Sequence, residues 1–191
     1  QVNGLSVVDA EGTTRLANFT LIVNRGEIVG VAGVEGNGQS ELAAALSGMT
    51  PASDGRFFVR GQDVTGAAPK ALTAAGVGVV PDDRHAVGCI TGMSLAENLS
   101  LNRLDRFKRF GLLDRAALRR AALELMERFD VRAAGPDVVF GGLSGGNQQK
   151  AVLGREISTD GLVFLLAAQP TRGLDVGAVE AVYGQIRAAC R

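Results

Sequence analysis

Between Gly33 and Ser40 the chain reads Gly33-Val34-Glu35-Gly36-Asn37-Gly38-Gln39-Ser40. The glycines and the terminal hydroxyl match the phosphate-loop pattern G-x-x-x-x-G-K-[ST], with Gln39 standing where that pattern carries its lysine. Glycines in such a loop let backbone N–H groups face phosphate oxygens, and a helix starting there adds partial positive charge. The lysine contact is a charge-assisted bond worth ~1.5–3 kcal/mol, so its loss weakens nucleotide binding by roughly 10- to 100-fold. Glu35 adds a carboxylate to a loop meant for anions, while Ser40 is left to offer its hydroxyl to magnesium. The same letters would also serve an ordinary glycine turn between a strand and a helix.

A second candidate is Leu143-Ser144-Gly145-Gly146-Asn147-Gln148-Gln149-Lys150. A hydroxyl and two glycines at a helix start make another anion-facing surface, with free N–H groups and the positive end of a dipole. Serine is also a good N-cap, so a well-capped helix alone would account for it. Further on, an apolar run ends in Ala168-Gln169-Pro170-Thr171-Arg172-Gly173-Leu174-Asp175. The lone histidine, His85, reads as a solvated loop residue.

These segments need elements to hold them. Leu5 to Gly33 reads as short β segments with turns at Glu11-Gly12 and Arg25-Gly26, closing in a buried strand Glu27–Ala32 that runs into the glycine loop. Helical spacing follows over Glu41–Leu46 and stops at Gly48. Arg56–Arg60 reads as a strand, as do Gly76–Val80 and Leu162–Ala167. From Ser94 to Asp130 the texture is amphipathic helix, with Asp114 capping a stripe of Ala117, Leu118, Ala121, Ala122, Leu125, Met126 and Phe129. A further helix begins near Ser144 after a glycine-rich loop. Strands interleaved with helices predict an α/β fold with a mainly parallel, covered sheet, and a helical block inserted between two of its strands.

Composition narrows the function. The 191 residues suffice for one domain with a sizeable core, and a 46% hydrophobic content argues against disorder. Twenty Lys+Arg balance twenty Asp+Glu, which gives no electrostatic case for nucleic acid or an acidic membrane surface. Cys89 and Cys190 lie far apart with no ligand-spaced neighbours, and read as reduced thiols. No apolar run reaches the ~20 residues of a membrane span, and the first residues do not read as a signal peptide, so membrane association would be indirect, through a partner. The opening Gln1-Val2-Asn3 and the helix-like ending read as an excised piece of something longer.

Taken in order, the glycine loop, Val79-Val80-Pro81-Asp82-Asp83-Arg84, Leu143-Ser144-Gly145-Gly146-Asn147-Gln148-Gln149-Lys150 and Gln169–Asp175 resemble the ATP-binding cassette (ABC) family over nearly the whole chain. The variant letters resemble the second, degenerate cassette of bacterial simple-sugar and nucleoside importers, whose ATPase subunits carry two cassettes in one polypeptide. The resemblance implies a P-loop NTPase-like cassette with an antiparallel β subdomain and an inserted helical subdomain over 92–150. It implies one nucleotide-binding domain over 1–191, truncated at its C-terminus before the switch histidine.

It also assigns roles. Gly33, Gly36, Asn37, Gly38, Gln39, Ser40 and Glu41 would face ATP, with Ser40 the weak magnesium candidate. Asp82 takes the place of the Q-loop glutamine. Ala168 takes the place of the magnesium-supporting aspartate, and an alanine methyl ligates no hard cation. Gln169 takes the place of the general-base glutamate; losing that help costs ~10²–10⁴ in rate, although a glutamine still orients a water in GTPases. Ser144, Gly145 and Gly146 would reach the γ-phosphate held by the partner cassette, and Asp175 matches the D-loop that crosses to it. The expected setting is the cytoplasmic face of the bacterial inner membrane, with permease partners, a second cassette and no nucleic acid. A pseudo-cassette that never binds nucleotide, an autonomous ATPase with atypical residues, and a chromosome-maintenance ATPase are the rival readings.

Overall fold

The computed structural model describes residues 1–34, 36–109 and 111–190. The chain divides into two compact units: Gln1–Val79 with Asp160–Ala168 and the C-terminal Cys190, and Val80–Thr159 with Gln169–Ala189.

In the first unit, β1 (Val2–Val8) pairs antiparallel with β2 (Thr14–Leu21) and β3 (Asp54–Val59), and β4 (Gln62–Asp63) extends the sheet in the order β2-β1-β3-β4. Alternation along β1 drives Val2, Leu5 and Val7 inward, and register sets Leu5 opposite Phe19 and Val2 opposite Phe57. The helix α1 (Gln39–Leu46) buries Leu42 and Leu46 against that face, each contributing ~1.5–3 kcal/mol. This packing fixes the helix whose first turn carries Gln39 and Ser40. The core continues through Leu72 of α2 (Pro69–Ala74) and Val77 of β5 (Val77–Val80). β5 lies beside β8 (Phe164–Ala167), whose Phe164 ring meets Phe57 edge-on with centroids 5.9 Å apart.

One expected strand is not formed. Glu27–Ala32 was to be a buried strand of a mainly parallel sheet, yet among the described residues that sheet is represented by β5 and β8. Ile28, Val29 and Val31 are 56%, 37% and 49% exposed. Among the described residues no strand runs beside them, and without a partner there is no ladder for their backbone to join.

A tight polar turn closes β4. Asp63 accepts hydrogen bonds from the Thr65 hydroxyl (2.6 Å) and Thr65 N–H (3.0 Å) and pairs with Arg56 at 2.6 Å. The Thr65 hydroxyl is the largest cause holding the Asp63 carboxyl at about 2, below its ordinary 3.8; Thr65 N–H and Arg56 follow. A depressed carboxyl stabilises the fold above its ordinary value, and the effect is lost as pH falls from 3.8 through about 2. NMR titration of the Asp63 side chain should find its midpoint near 2. Thr65→Val should move it back toward 3.8, and a wild-type midpoint already at 3.8 would contradict this geometry.

In the second unit a π-turn (Arg84–Gly88) leads to α3 (Leu95–Asn98), whose start is a complete capping box. Glu97 N–H donates to Ser94 Oγ (3.2 Å) and Ser94 N–H to Glu97 Oε2 (2.9 Å). The amphipathic texture from Ser94 to Asp130 is not one continuous helix. A 3₁₀ segment (Leu101–Phe107) and a hairpin of β6 (Lys108–Arg109) and β7 (Leu112–Leu113) intervene before α4 (Arg115–Arg128). Asp114 caps α4 as its spacing predicts, accepting from Ala117 N–H at 2.9 Å, and Leu118, Ala122, Leu125 and Met126 are buried.

At the centre of this unit is α5 (Gly145–Ile157), buried from Gln148 to Glu156. Its buried charges are matched: Lys150 Nζ reaches Asp130 Oδ2 at 2.7 Å, and Arg155 Nε reaches Glu156 Oε1 at 2.7 Å. α6 (Val176–Ala189) packs on α5 through Ala178 and Val182. No helix among the described residues is long and apolar enough to cross a membrane.

Candidate functional site

In the first unit the glycine loop ends in a phosphate-compatible cradle. Gly36 and Gly38 have φ of +89° and +90°, where a side chain would be strained. A Cβ at Gly38 would also meet Arg15 carbonyl oxygen at 2.7 Å. Gly38 is the N-cap of α1 and offers no side chain to the first-turn N–H groups, so these are left for an exogenous acceptor. Asn37 N–H closes the preceding turn on Val34 carbonyl at 3.1 Å. Ser40 is exposed at the head of the helix and Glu41 follows it, half-buried. The expected contribution of Glu35 lies outside the described residues.

Gln39 folds back over the loop. A Cβ built on Gly33 would lie 2.1 Å from Gln39 Nε2, so the carboxamide occupies the space above the first glycine. An uncharged amide sits there in place of an ammonium. The residues fit a nucleotide's phosphates through backbone N–H groups, and among the described residues of the loop the Ser40 hydroxyl is the oxygen donor placed for magnesium. Ala168, at the end of β8, adds no oxygen from its side chain.

The second unit holds the remaining expected residues. Ser144 is exposed and caps α5, its Oγ accepting from Asn147 N–H at 3.4 Å and Asn147 Nδ2 at 3.0 Å. Gly145 and Gly146 form the first turn. A Cβ on Gly145 would lie 3.0 Å from Arg84 Nη2, and one on Gly146 would lie 3.3 Å from Ala178 Cβ, so both positions are too close-packed for a side chain to enter freely. Asp175 caps the next helix, accepting from Ala178 N–H at 2.9 Å. Ser144–Gly146 and the Gly173–Asp175 segment are therefore neighbours on one body, with Gly173 carbonyl oxygen 3.9 Å from the Gly145 Cβ position. Ser144, Leu143 and Val139 also border an open groove of about 460 Å³.

Two groups take on roles that their spacing did not reveal. His85 is exposed, but it is not simply solvated: its Nε2 lies 2.8 Å from Gln148 Oε1. Asp83 arranges this by accepting from His85 and Ala86 N–H groups, which wind the π-turn; these two bonds are the chief causes holding its carboxyl below the usual range. Gln169 has φ of +44°, an uncommon conformation for a residue with a side chain, and its amide donates to Asp82 Oδ2 at 3.4 Å. Both cysteines are free, and burial raises the Cys89 thiol.

Residues 16–167 match the family model for the ABC transporter. The chain belongs to the ABC transporter family. This cassette is 42% identical over 188 residues to a nucleoside import ATP-binding protein of Lactococcus lactis, an alignment covering 97% of the chain and 37% of that protein. It is 38% identical to a guanosine import ATP-binding protein of Bacillus subtilis, covering 97% and 36%. Against a glucose import ATP-binding protein of Haloferax volcanii it is 44% identical, covering 95% and 34%. The cassette thus spans about a third of the length of these relatives.

Solved structures agree on the fold. A nucleotide-free ATP-binding cassette from an ABC transporter superposes with a TM-score of 0.81 at 20% identity, covering 99% of this chain and 76% of that one. A dimeric cassette in a post-hydrolysis state, bound to ADP and Pi, gives 0.80 at 21% identity, covering 100% and 82%.

Proposed function

We propose that this chain is the nucleotide-binding domain of a nucleoside or simple-sugar importer and the degenerate member of a cassette pair. It holds ATP weakly at its own glycine loop and lends Ser144–Gly146 and the Asp175 segment to ATP held by a second cassette. The carrying observation is the contrast between the two anion-facing helix starts. At α1 the lysine position is a folded-back amide, and the metal and base positions are Ala168 and Gln169. At α5 the serine cap, both glycines and the neighbouring Asp175 turn are all in place.

The relatives' import functions support the transport reading, and their length leaves room for a second cassette in the same polypeptide. Transmembrane permease subunits are the expected partners, since no described helix here is long and apolar enough to span a bilayer. Their company would hold the cassette at the cytoplasmic face of the inner membrane, with closure transmitted to them through the helical subdomain.

Equilibrium binding of ATP to the chain, with and without magnesium, tests the first half of this reading. The expected result is weak binding indifferent to magnesium, tightened by Gln39→Lys about 10- to 100-fold as a charge-assisted phosphate contact returns. No binding at millimolar ATP would favour a pseudo-cassette acting wholly across the dimer interface. Tight, magnesium-dependent binding would overturn the proposal in favour of an autonomous ATPase.

A further inference from the structure

Four consecutive residues, Asp82 to His85, bond in two directions within the second unit. In one direction Asp82 pairs with Arg172, Oδ1 to Nη1 at 3.0 Å, and accepts from Gln169 Nε2 at 3.4 Å. Both partners lie in the segment between β8 and α6 that ends at Asp175. In the other direction Arg84 Nε donates to Gln148 Oε1 at 3.2 Å and His85 Nε2 approaches the same oxygen at 2.8 Å. Gln148 is buried in α5, and its amide donates onward to Leu143 carbonyl at 3.2 Å and Phe140 carbonyl at 3.3 Å. Those carbonyls belong to the stretch that delivers Ser144. Asp83, between the two halves, winds the turn that aims Arg84 and His85.

We infer that Asp82, Arg84 and His85 are positioning residues: they strap the Gln169–Arg172 segment to the start of α5, so that the Asp175 turn and Ser144–Gly146 are presented as one surface. The reach supports this. The strap ties residues 90 positions apart (Asp82 to Arg172) and 64 apart (Arg84 to Gln148), adding polar bonds to segments that helix packing already brings close, as at Gly146 and Ala178. It also assigns a task to Asp82: its carboxylate is engaged by a guanidinium and an amide of its own chain. Gln169 gains a reason for its left-handed backbone, since Arg172 N–H closes on Gln169 carbonyl at 3.0 Å and that turn sets Arg172 facing Asp82.

The inference rests on the donor reading above, so its test has a readout that does not. In the intact transporter, kcat and KM for ATP are measured for Asp82→Asn, Arg172→Ala and the exchanged pair Asp82→Arg/Arg172→Asp, with hydrogen exchange followed at the amides of 145–149. A partly exposed ion pair of this kind supports an effect of about threefold to fivefold. Each single change should lower kcat by about that factor with KM within about twofold, and should speed exchange at those amides by a similar factor. The exchanged pair should restore both. Wild-type kcat and exchange in the single variants would overturn the strap, as would an exchanged pair no better than either single change. So would a raised KM in Asp82→Asn with Arg172→Ala silent, because Asp82 would then be acting on the nucleotide. Ser144→Asp separates the two proposals. If it leaves hydrolysis intact, the donor reading fails and the exchange data alone judge the strap; if it abolishes hydrolysis while the strap variants behave as wild type, the strap alone fails.

Discussion

Ser144→Asp in the intact transporter is expected to cut ATP turnover by about 100-fold while leaving the melting of this cassette nearly unchanged. Aspartate is as good an N-cap as serine, so α5 keeps its start and Asn147 keeps an acceptor. The electrostatics change completely. In the proposed donor role a neutral hydroxyl and two glycines offer N–H groups to an anion; a carboxylate there would face the phosphate of the partner's nucleotide and cancel the favourable end of the helix dipole. Ser144→Ala makes the complementary control: it removes the cap, costs about 1 kcal/mol of stability and spares the charge. Turnover measured for both variants, beside their thermal unfolding, distinguishes a lost cap from a lost anion surface. Wild-type turnover in Ser144→Asp would remove the donor helix from the mechanism. A bulky residue at Gly146 should act in the same direction, because a Cβ there already lies 3.3 Å from Ala178.

The second large effect is on stability. Phe140 is fully buried just before the Leu143–Lys150 stretch; its N–H donates to Met93 carbonyl at 2.9 Å and its carbonyl accepts from Gln148. Phe140→Ala should cost about 3–5 kcal/mol in urea unfolding of the second unit, the sum of lost burial and the void left by the ring. Phe140→Leu, which keeps most of the volume, should cost less than about 1.5 kcal/mol. A loss below about 1 kcal/mol in the alanine variant would mean that the surrounding residues close over the gap.

Much of this architecture was legible in the letters because it is local. Caps at Asp114 and Ser144 announce themselves by residue type and by the apolar stripe that follows, and both are formed as expected. The strand–turn–strand start, the helix after the glycine loop and the apolar runs that become β5 and β8 have clear periods. The failures are non-local. Glu27–Ala32 has a strand's composition, but a strand needs a neighbour, and composition does not name one.

Likewise, no period links His85 to Gln148 or Asp82 to Arg172; polar residues of mid-loop segments carry no hydrophobic pattern from which a partner could be read. The site divides along the same line. The glycine loop and the Ser144–Gly146 residues were visible as types at set spacings, whereas the folded-back Gln39 amide is a rotamer that only packing selects.

The run from Glu27 to the glycine loop, which joins no sheet among the described residues, has a physical consequence of its own. Ile28, Val31 and Val34 are 56%, 49% and 74% exposed, and the backbone of Glu27–Ala32 engages no ladder among the described residues. Branched apolar side chains on backbone outside any ladder make an edge of the kind on which one copy of a chain can template the next. Self-association of the free polypeptide at high concentration is therefore expected to fall on the segment that leads into its glycine loop.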